Sequence, residues 1–171
     1  MDADELRSIQ APLKQRYRDE PGAALVTLRA AGTLDDSGVS CRVDTGRAIV
    51  EAGLHPATGG TGLQACSGDM LLQALVACAA VTLKAVSTAL AIPVRSGQVT
   101  AEGDLDFRGT LGVDRGAPVG FQRIRLRFDL DSDAPAEQLA KLLELTERYC
   151  VVLQTLRGAP RVDAEIRPSS A

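Results

Sequence analysis

The sequence predicts an α+β fold, with residues 1–171 forming a single domain. Segments with the two-residue alternation of strands and segments with helical spacing both occur, without the regular βαβ order of a doubly wound sheet. The 171 residues and their 45% hydrophobic content suffice for one core. With three Phe, two Tyr and no Trp, that core and any pocket in it are expected to be aliphatic.

The first third of the chain predicts an amphipathic helix followed by three strands. Apolar residues recur at helical spacing over 3–18 and Pro21-Gly22 ends the pattern, so residues 1–20 are expected to form a helical arm that packs on a partner. Residues 24–33 and 39–44 predict a β-hairpin around a turn at 35–38, and residues 47–51 predict a third short strand.

A glycine-rich loop over 53–62 leads into a long helix that runs from Ser67 to about Leu90. Ser67 is expected to cap this helix, and Asp69 in its first turn complements the helix dipole. The helix is apolar on nearly every side as far as Val81, which predicts that protein surrounds it.

The second half of the chain predicts two long strands, a second long helix and a final strand. Residues 94–108 and 120–131 alternate, and in the second of them the apolar side chains Ile124 to Leu130 face one way and the charged ones face solvent. Residues 135–156 carry a helical apolar stripe, and a strand is expected from Arg161 to Arg167.

Charge and composition exclude several classes of function. Nineteen Lys plus Arg against 22 Asp plus Glu give a net charge of −3, and no basic run interleaved with aromatic residues points to nucleic acid. The acidic start lacks the pattern of a secretory signal, and the apolar window from Met70 to Val81 is shorter than the roughly 20 residues of a membrane span. We expect a cytoplasmic protein whose four cysteines are thiols.

Cys78 and Cys150 form the candidate chemical centre. Cys78 lies too far into the first long helix for that helix's dipole to lower its pKa, so activation requires a neighbouring cation or hydrogen-bond donors. Cys150 lies on the apolar stripe of the second long helix, and two helices that each bury an apolar face are expected to pack together and bring the thiols within reach. The alternative is that both cysteines are small buried hydrophobic residues.

Two motifs around these cysteines resemble a known family. The run from Gly68 to Cys78 is similar to the cysteine helix of the OsmC/Ohr hydroperoxide reductases, and the run from Glu147 to Val152 is similar to the second-cysteine helix of its OsmC-like branch. The resemblance covers residues 24–167 and implies antiparallel sheets wrapped around two long central helices in an intertwined homodimer. It also implies that Cys78 attacks an organic hydroperoxide and that Cys150 resolves the sulfenic acid to a disulfide, which a dithiol then reduces.

The resemblance also implies an arginine and a carboxylate beside Cys78. Arg47 fits one of the family's two arginine positions, with Arg29 and Arg42 as substitutes, although a solvated charge at a strand end explains Arg47 equally well. Gly68 stands where the family has a glutamate that pairs with the arginine. Asp69 is the expected replacement, although stabilisation of the helix start also explains it. Val151 likewise replaces a proline common after the second cysteine.

The remaining candidates are less specific. Cys66 precedes the long helix, where backbone amides can lower a thiol pKa, so it is a rival or additional redox cysteine. Cys41 alternates in phase with strand core residues. His55, the only histidine, could serve a cysteine only by folding over the pocket, and no spacing predicts a metal site or a cofactor. The cluster Gly59-Gly60-Thr61-Gly62 lacks the Gly-Lys-Ser/Thr ending of a phosphate loop and predicts a lid or linker.

Two functions therefore remain open. The first is a thiol-dependent peroxidase of the oxidative stress response that reduces organic hydroperoxides. The second is a protein of the same fold that binds a small apolar or thiol ligand, with structural or redox-sensing cysteines.

Overall fold

The computed structural model of the chain describes residues 2–5, 8, 10, 11, 15, 19, 31–33, 40–44, 49–112 and 114–167. In the opening segment the described positions from 3 to 19 have helical backbone, as the apolar spacing predicts. The packing of the predicted arm, residues 1–20, lies outside these residues, and the single-domain organisation stays a prediction.

A four-stranded sheet follows, in the order β1-β2-β3-β4. The strands are β1 (Ala31–Thr33), β2 (Ser40–Asp44), β3 (Ile49–Gly53) and β4 (Ala65–Cys66). β1, β2 and β3 pair antiparallel, which confirms the predicted hairpin and third strand where the structure describes them. Positions 24–30, the turn at 35–38 and positions 47 and 48 lie outside the described residues. β4 pairs parallel with β3 and was not predicted, because two residues are too few to show an alternation.

The loop between β3 and β4 ends at a helix of 23 residues, α1 (Ser67–Ala89). The loop contains a short 3-10 helix, Pro56–Thr58, which His55 caps by accepting a hydrogen bond from the Ala57 amide. The predicted cap at Ser67 is wrong. Cys66 holds the N-cap position without a side-chain hydrogen bond, because the chain stays extended through β4 until that residue.

After α1 the chain forms a two-stranded antiparallel sheet of β5 (Ser96–Leu105) and β6 (Phe121–Asp131). A short helix, α2 (Phe107–Thr110), lies in the connection between them. Val99, Ala101, Ile124, Leu126 and Phe128 pack toward the core, as the alternation predicts. Arg95 binds Asp131 and Asp133, which ties the start of β5 to the end of β6.

The second long helix is divided in two, and the single helix predicted over 135–156 is wrong in this respect. α3 (Ala136–Tyr149) ends and α4 (Val151–Gly158) begins at Cys150, whose extended backbone interrupts the helix. The strand predicted from Arg161 to Arg167 is also wrong for this chain. These residues have no regular structure and all are exposed, because a strand must pair with a neighbour and this segment pairs with none among the described residues.

The core lies between α1, the β5–β6 sheet and the α3–α4 pair. Its two clusters centre on Leu75, Ala79 and Cys150 and on Leu83, Ile92 and Leu142. The expectation that protein surrounds α1 is wrong for a single chain, since Val81 is 71% exposed. The sheet and the helix pair cover one side of α1, which leaves the opposite apolar side to solvent.

By length and mean hydropathy alone, α1 could cross a membrane: it has 23 residues and a window of hydropathy 1.8. The apolar part of this helix is therefore longer than the segment from Met70 to Val81 that the sequence analysis considered. A core helix can have the same composition, and α1 packs on β5, α3 and α4.

Candidate functional site

Helix α1 carries Cys78 on the side that packs against the core. Leu75 and Ala79 lie one turn before it and next to it, and both have no exposed surface. Cys78 is partly buried and packs against the cluster that Leu75 and Ala79 form with Cys150. The 3.6-residue repeat of apolar positions therefore places this thiol at the edge of the core, where it retains some access to solvent.

Cys150 approaches from the junction of α3 and α4. Its backbone has φ −71° and ψ 106°, so α3 ends there and α4 starts in a new direction at the next residue. The first amides of a helix have no partner inside the helix and carry the positive end of its dipole. The break thus exposes a set of N–H donors beside the two sulfurs.

These donors act on Cys78. Burial by itself would raise the pKa of the Cys78 thiol, but hydrogen bonds from the Val152 amide, the Cys150 side chain, the Val151 amide and the Thr82 hydroxyl outweigh it. The pKa of Cys78 is therefore lower than that of an ordinary thiol. The sequence analysis expected a cation or hydrogen-bond donors beside Cys78. Two of these donors, the Val151 and Val152 amides, belong to α4, whereas Cys78 itself lies on α1.

The pKa of Cys150 shifts in the opposite direction. Burial raises it most, and the hydrogen bond to Cys78 together with the negative charge on that sulfur raises it further, while the amides of Leu153 and Val152 lower it only partly. Cys150 has no exposed surface. The pair thus consists of one thiol whose pKa is lowered and a second whose pKa is raised, joined by a hydrogen bond.

Sequence reasoning brought the two cysteines together but missed the groups that act on them. Thr82 lies four residues after Cys78 on the same helix, so helical spacing alone could have identified it. The Val151 and Val152 amides could not be found in this way. They become donors only because the helix breaks at Cys150, and neither glycine nor proline marks that break.

The predicted cation lies outside the described residues. Neither Arg47 nor Arg29 is described, and for Arg42 the structure gives only its backbone position on β2. For Cys41, which also lies on β2, the structure likewise gives only the backbone position. Among the described residues, the groups that lower the pKa of Cys78 include no arginine or lysine. The assigned role of Arg47 stays a prediction.

Asp69 is exposed in the first turn of α1, nine residues before Cys78. At 1.5 Å per residue the two lie about 13 Å apart along the helix axis, so the carboxylate could influence the thiol only through another group. Gly68 packs against Phe121, whose Cζ atom would lie 3.5 Å from an added Cβ. A longer side chain at this position would meet that ring.

A cavity of about 380 Å³ is lined by the other candidate site residues that the sequence suggested. Cys66, His55 and Asp69 line it with Phe107 and Phe121. His55 stacks on Phe107 with ring centroids 5.0 Å apart, and its Nδ1 accepts from the Ala57 amide at 3.0 Å. His55 is therefore held in this loop, apart from the Cys78–Cys150 pair. Within the described ranges no three metal-ligating side chains cluster.

Comparison with known proteins identifies the fold and the family. The model of the family described as OsmC-like protein matches residues 60–165, which include α1, both cysteines and the β5–β6 sheet. No curated protein sequence matches the chain.

Three solved structures illustrate the similarity. An OsmC-like protein from Mycoplasma pneumoniae is 16% identical, with a TM-score of 0.64 over 78% of this chain and 89% of that one. An organic hydroperoxide resistance protein from Elizabethkingia anophelis is 21% identical, with a TM-score of 0.63 over 79% and 91%. A Legionella pneumophila protein, named organic hydroperoxide resistance protein OsmC, is 18% identical, with a TM-score of 0.61 over 79% and 92%.

These identities establish a shared fold. The family model spans more than half of the residues, and the α+β architecture of the chain is that of the solved OsmC and Ohr structures. The chain therefore belongs to the OsmC/Ohr family of OsmC-like proteins.

Proposed function

We propose that this protein is a cytoplasmic thiol-dependent peroxidase that reduces organic hydroperoxides, with Cys78 as the attacking thiol and Cys150 as the resolving thiol. The observation that carries the proposal is the packing of Cys78 against Cys150 beside the first amides of α4, with the pKa of Cys78 lowered and that of Cys150 raised. Relatives named organic hydroperoxide resistance proteins support the substrate class. The apolar surroundings of the pair, aliphatic except for Phe128, favour an organic peroxide over hydrogen peroxide.

The first step is attack by the Cys78 thiolate on the outer oxygen of the hydroperoxide. A sulfur–oxygen bond forms, the oxygen–oxygen bond breaks and the alkoxide leaves, taking one proton to become an alcohol. Cys150 is the adjacent proton donor, because its raised pKa keeps its thiol protonated until negative charge develops beside it. Cys78 becomes a sulfenic acid.

The second step joins the two cysteines. The Cys150 sulfur, now a thiolate, attacks the Cys78 sulfenic sulfur, a disulfide forms and hydroxide leaves as water after taking a proton. An external dithiol then reduces the disulfide and returns both thiols. Arg47 and Asp69 are proposed to assist as a cation near Cys78 and its carboxylate partner. We also propose that the protein works as a homodimer, since the family is typically dimeric.

Peroxide consumption tests the proposal. Reduced protein mixed with cumene hydroperoxide and a dithiol should consume the peroxide catalytically, and Cys78→Ser should abolish this activity because it removes the nucleophile. Cys66→Ser is the matched control, since it changes a cysteine outside the pair and should retain activity. Undiminished consumption by Cys78→Ser would exclude the assigned role.

The second candidate is a binding protein of the same fold with structural or sensing cysteines. It is favoured by one observation: within the described ranges, no cation acts on Cys78. In that case the reduced protein would not consume the hydroperoxide, although its circular dichroism spectrum would show that it is folded.

A further inference from the structure

The break between α3 and α4 changes the hydrogen-bond partner of a backbone amide. In an unbroken helix the Val151 amide would donate to the Glu147 carbonyl, four residues earlier. Here the last hydrogen bond in the ladder of α3 joins the Cys150 amide to the Thr146 carbonyl at 2.9 Å. The Val151 amide donates to the Cys78 sulfur. The break therefore leaves the Glu147 carbonyl without its helical partner.

The side chain of Gln154 takes the vacated place on that carbonyl. Its Nε2 donates to the Glu147 carbonyl oxygen at 2.7 Å, and its backbone amide donates to the Cys150 carbonyl at 2.9 Å. Gln154 thus belongs to the hydrogen-bond ladder of α4 while its side chain caps the last turn of α3. The other contact across the break is an exposed ion pair of Arg157 with Glu147, 3.2 Å long. Exposed ion pairs contribute little to stability, so the Gln154 hydrogen bond is the contact that fixes the break.

We propose that Gln154 is a positioning residue for Cys78. By occupying the Glu147 carbonyl, the Gln154 side chain prevents that carbonyl from recapturing the Val151 amide, and it so keeps the amide directed at the Cys78 sulfur. Gln154 acts through Val151 and not on the thiol itself. The inference deepens the proposed function, on which the catalytic meaning of a reactive Cys78 rests.

This exchange of partners accounts for a break that neither glycine nor proline marks. Backbone donors and acceptors are nearly always paired in folded proteins, and here both groups keep a partner: the Glu147 carbonyl accepts from a side chain and the Val151 amide donates to sulfur. Without the Gln154 side chain, the two groups would pair with each other and the thiol would lose a donor. Among the described residues, the groups that shift the pKa of Cys78 include one other titratable side chain, that of Cys150.

The alkylation of Cys78 by iodoacetamide, mapped by peptide mass and measured against pH in the full chain, tests the proposal. Gln154→Met keeps the length and helix propensity of the side chain but removes its donor. The pKa of Cys78 should rise, so alkylation near pH 7 should slow roughly fivefold, the effect of one hydrogen bond, and should approach the wild-type rate at high pH. The matched control, Arg157→Met, removes the other contact across the break and should change the rate less than about twofold.

Restoring a donor at the same position gives a second test. The lysine of Gln154→Lys can again donate to the Glu147 carbonyl and should restore most of the wild-type rate. Its positive charge could also favour the Cys78 thiolate. The double variant Q154M/T155K carries the same charge one residue further on, without the donor at position 154, and should remain slow. Equal rates for these two lysine variants would show that charge and not the hydrogen bond affects Cys78, and would overturn the proposal.

A double-mutant cycle with Val151→Pro separates positioning from a general structural role. Proline is tolerated at the first position of a helix and has no amide for the Glu147 carbonyl to recapture. Adding Gln154→Met to this variant should therefore slow alkylation less than about twofold further. An effect of Q154M that is as large in the V151P background, or a Q154M profile identical to that of the wild type, would refute the positioning role. Alkylation requires no peroxide, so these outcomes are distinct from a failure to consume hydroperoxide.

Discussion

The acidity of Cys78 depends on a few hydrogen bonds from neighbouring groups. Burial raises the pKa of this thiol, and the amides of Val152 and Val151 with the side chains of Cys150 and Thr82 more than reverse the effect. Hydrogen bonds to a charged group are worth roughly 1.5–3 kcal/mol each, so the loss of one donor should have a measurable effect. The same sulfur raises the pKa of Cys150, so a change at one cysteine affects both.

Val151→Pro isolates one of these donors. Proline is well tolerated at the first position of a helix, which Val151 occupies in α4, but it has no amide hydrogen. The pKa of Cys78 should rise, and its alkylation by iodoacetamide near pH 7 should slow about tenfold. Val151→Ala keeps the amide and should react like the wild type. Equal rates for the two variants would show that this amide does not act on the thiolate.

The pH dependence of Cys78 follows from the direction of its shift. Because folding lowers the pKa of Cys78, its contribution to stability is complete above the unfolded-state pKa and is lost as the pH falls through the folded-state value. Its alkylation rate should therefore level off below the range of an ordinary thiol, roughly pH 8.5. For Cys150, whose pKa is raised, the contribution is present below the unfolded-state pKa and is lost as the pH rises through the folded-state value. A Cys78 rate that still climbs steeply above pH 9 would contradict the lowered pKa.

At the scale of elements, the site is created by the break between α3 and α4. The periodicity of apolar residues predicted α1, β5, β6 and the helical character of 135–156, because each of these buries one face. It could not predict the break, since Tyr149-Cys150-Val151 contains no helix-breaking residue. The segment Arg161–Arg167 shows the opposite limit: it has a strand pattern, but among the described residues it pairs with no other strand.

Leu75 is expected to hold α1 against the sheet and the helix pair. It has no exposed surface, so Leu75→Ala should leave a cavity and lower the free energy of unfolding by about 2–5 kcal/mol. Leu71 lies one turn earlier on the same helix and is 39% exposed, so Leu71→Ala should cost less than half as much. Urea unfolding of both variants measures the difference. Equal losses would mean that the core is not centred on Leu75.

At the scale of the whole molecule, a single chain leaves much of its apolar surface uncovered. Val81 on α1 and Val151 beside the cysteines are 71% and 70% exposed. Within the described ranges, the contact of the β1–β4 sheet with α1 passes chiefly through β4. In the proposed homodimer, a second copy would cover such surfaces.

The sequence predicts only some of the residues of the candidate site. The motifs around Cys78 and Cys150 pointed to the two thiols, and the fold brings them together through α1 and the α3–α4 junction. The proposed role of Asp69 could not be derived in the same way, because an effect on Cys78 would require a group that spans about 13 Å of helix. When the function of a residue depends on a distant element or on a second copy of the chain, the sequence around that residue shows no recognisable motif.

The pairing of Cys78 with Cys150 is tested most directly by the mass of the intact reduced protein after one equivalent of cumene hydroperoxide. The protein should lose two hydrogen atoms, with the new disulfide mapped by peptide analysis to Cys78 and Cys150. Cys66→Ser should give the same result, and Cys150→Ser should instead accumulate an oxidised Cys78. An unchanged mass, or a disulfide that involves Cys66 and leaves Cys78 reduced, would contradict it.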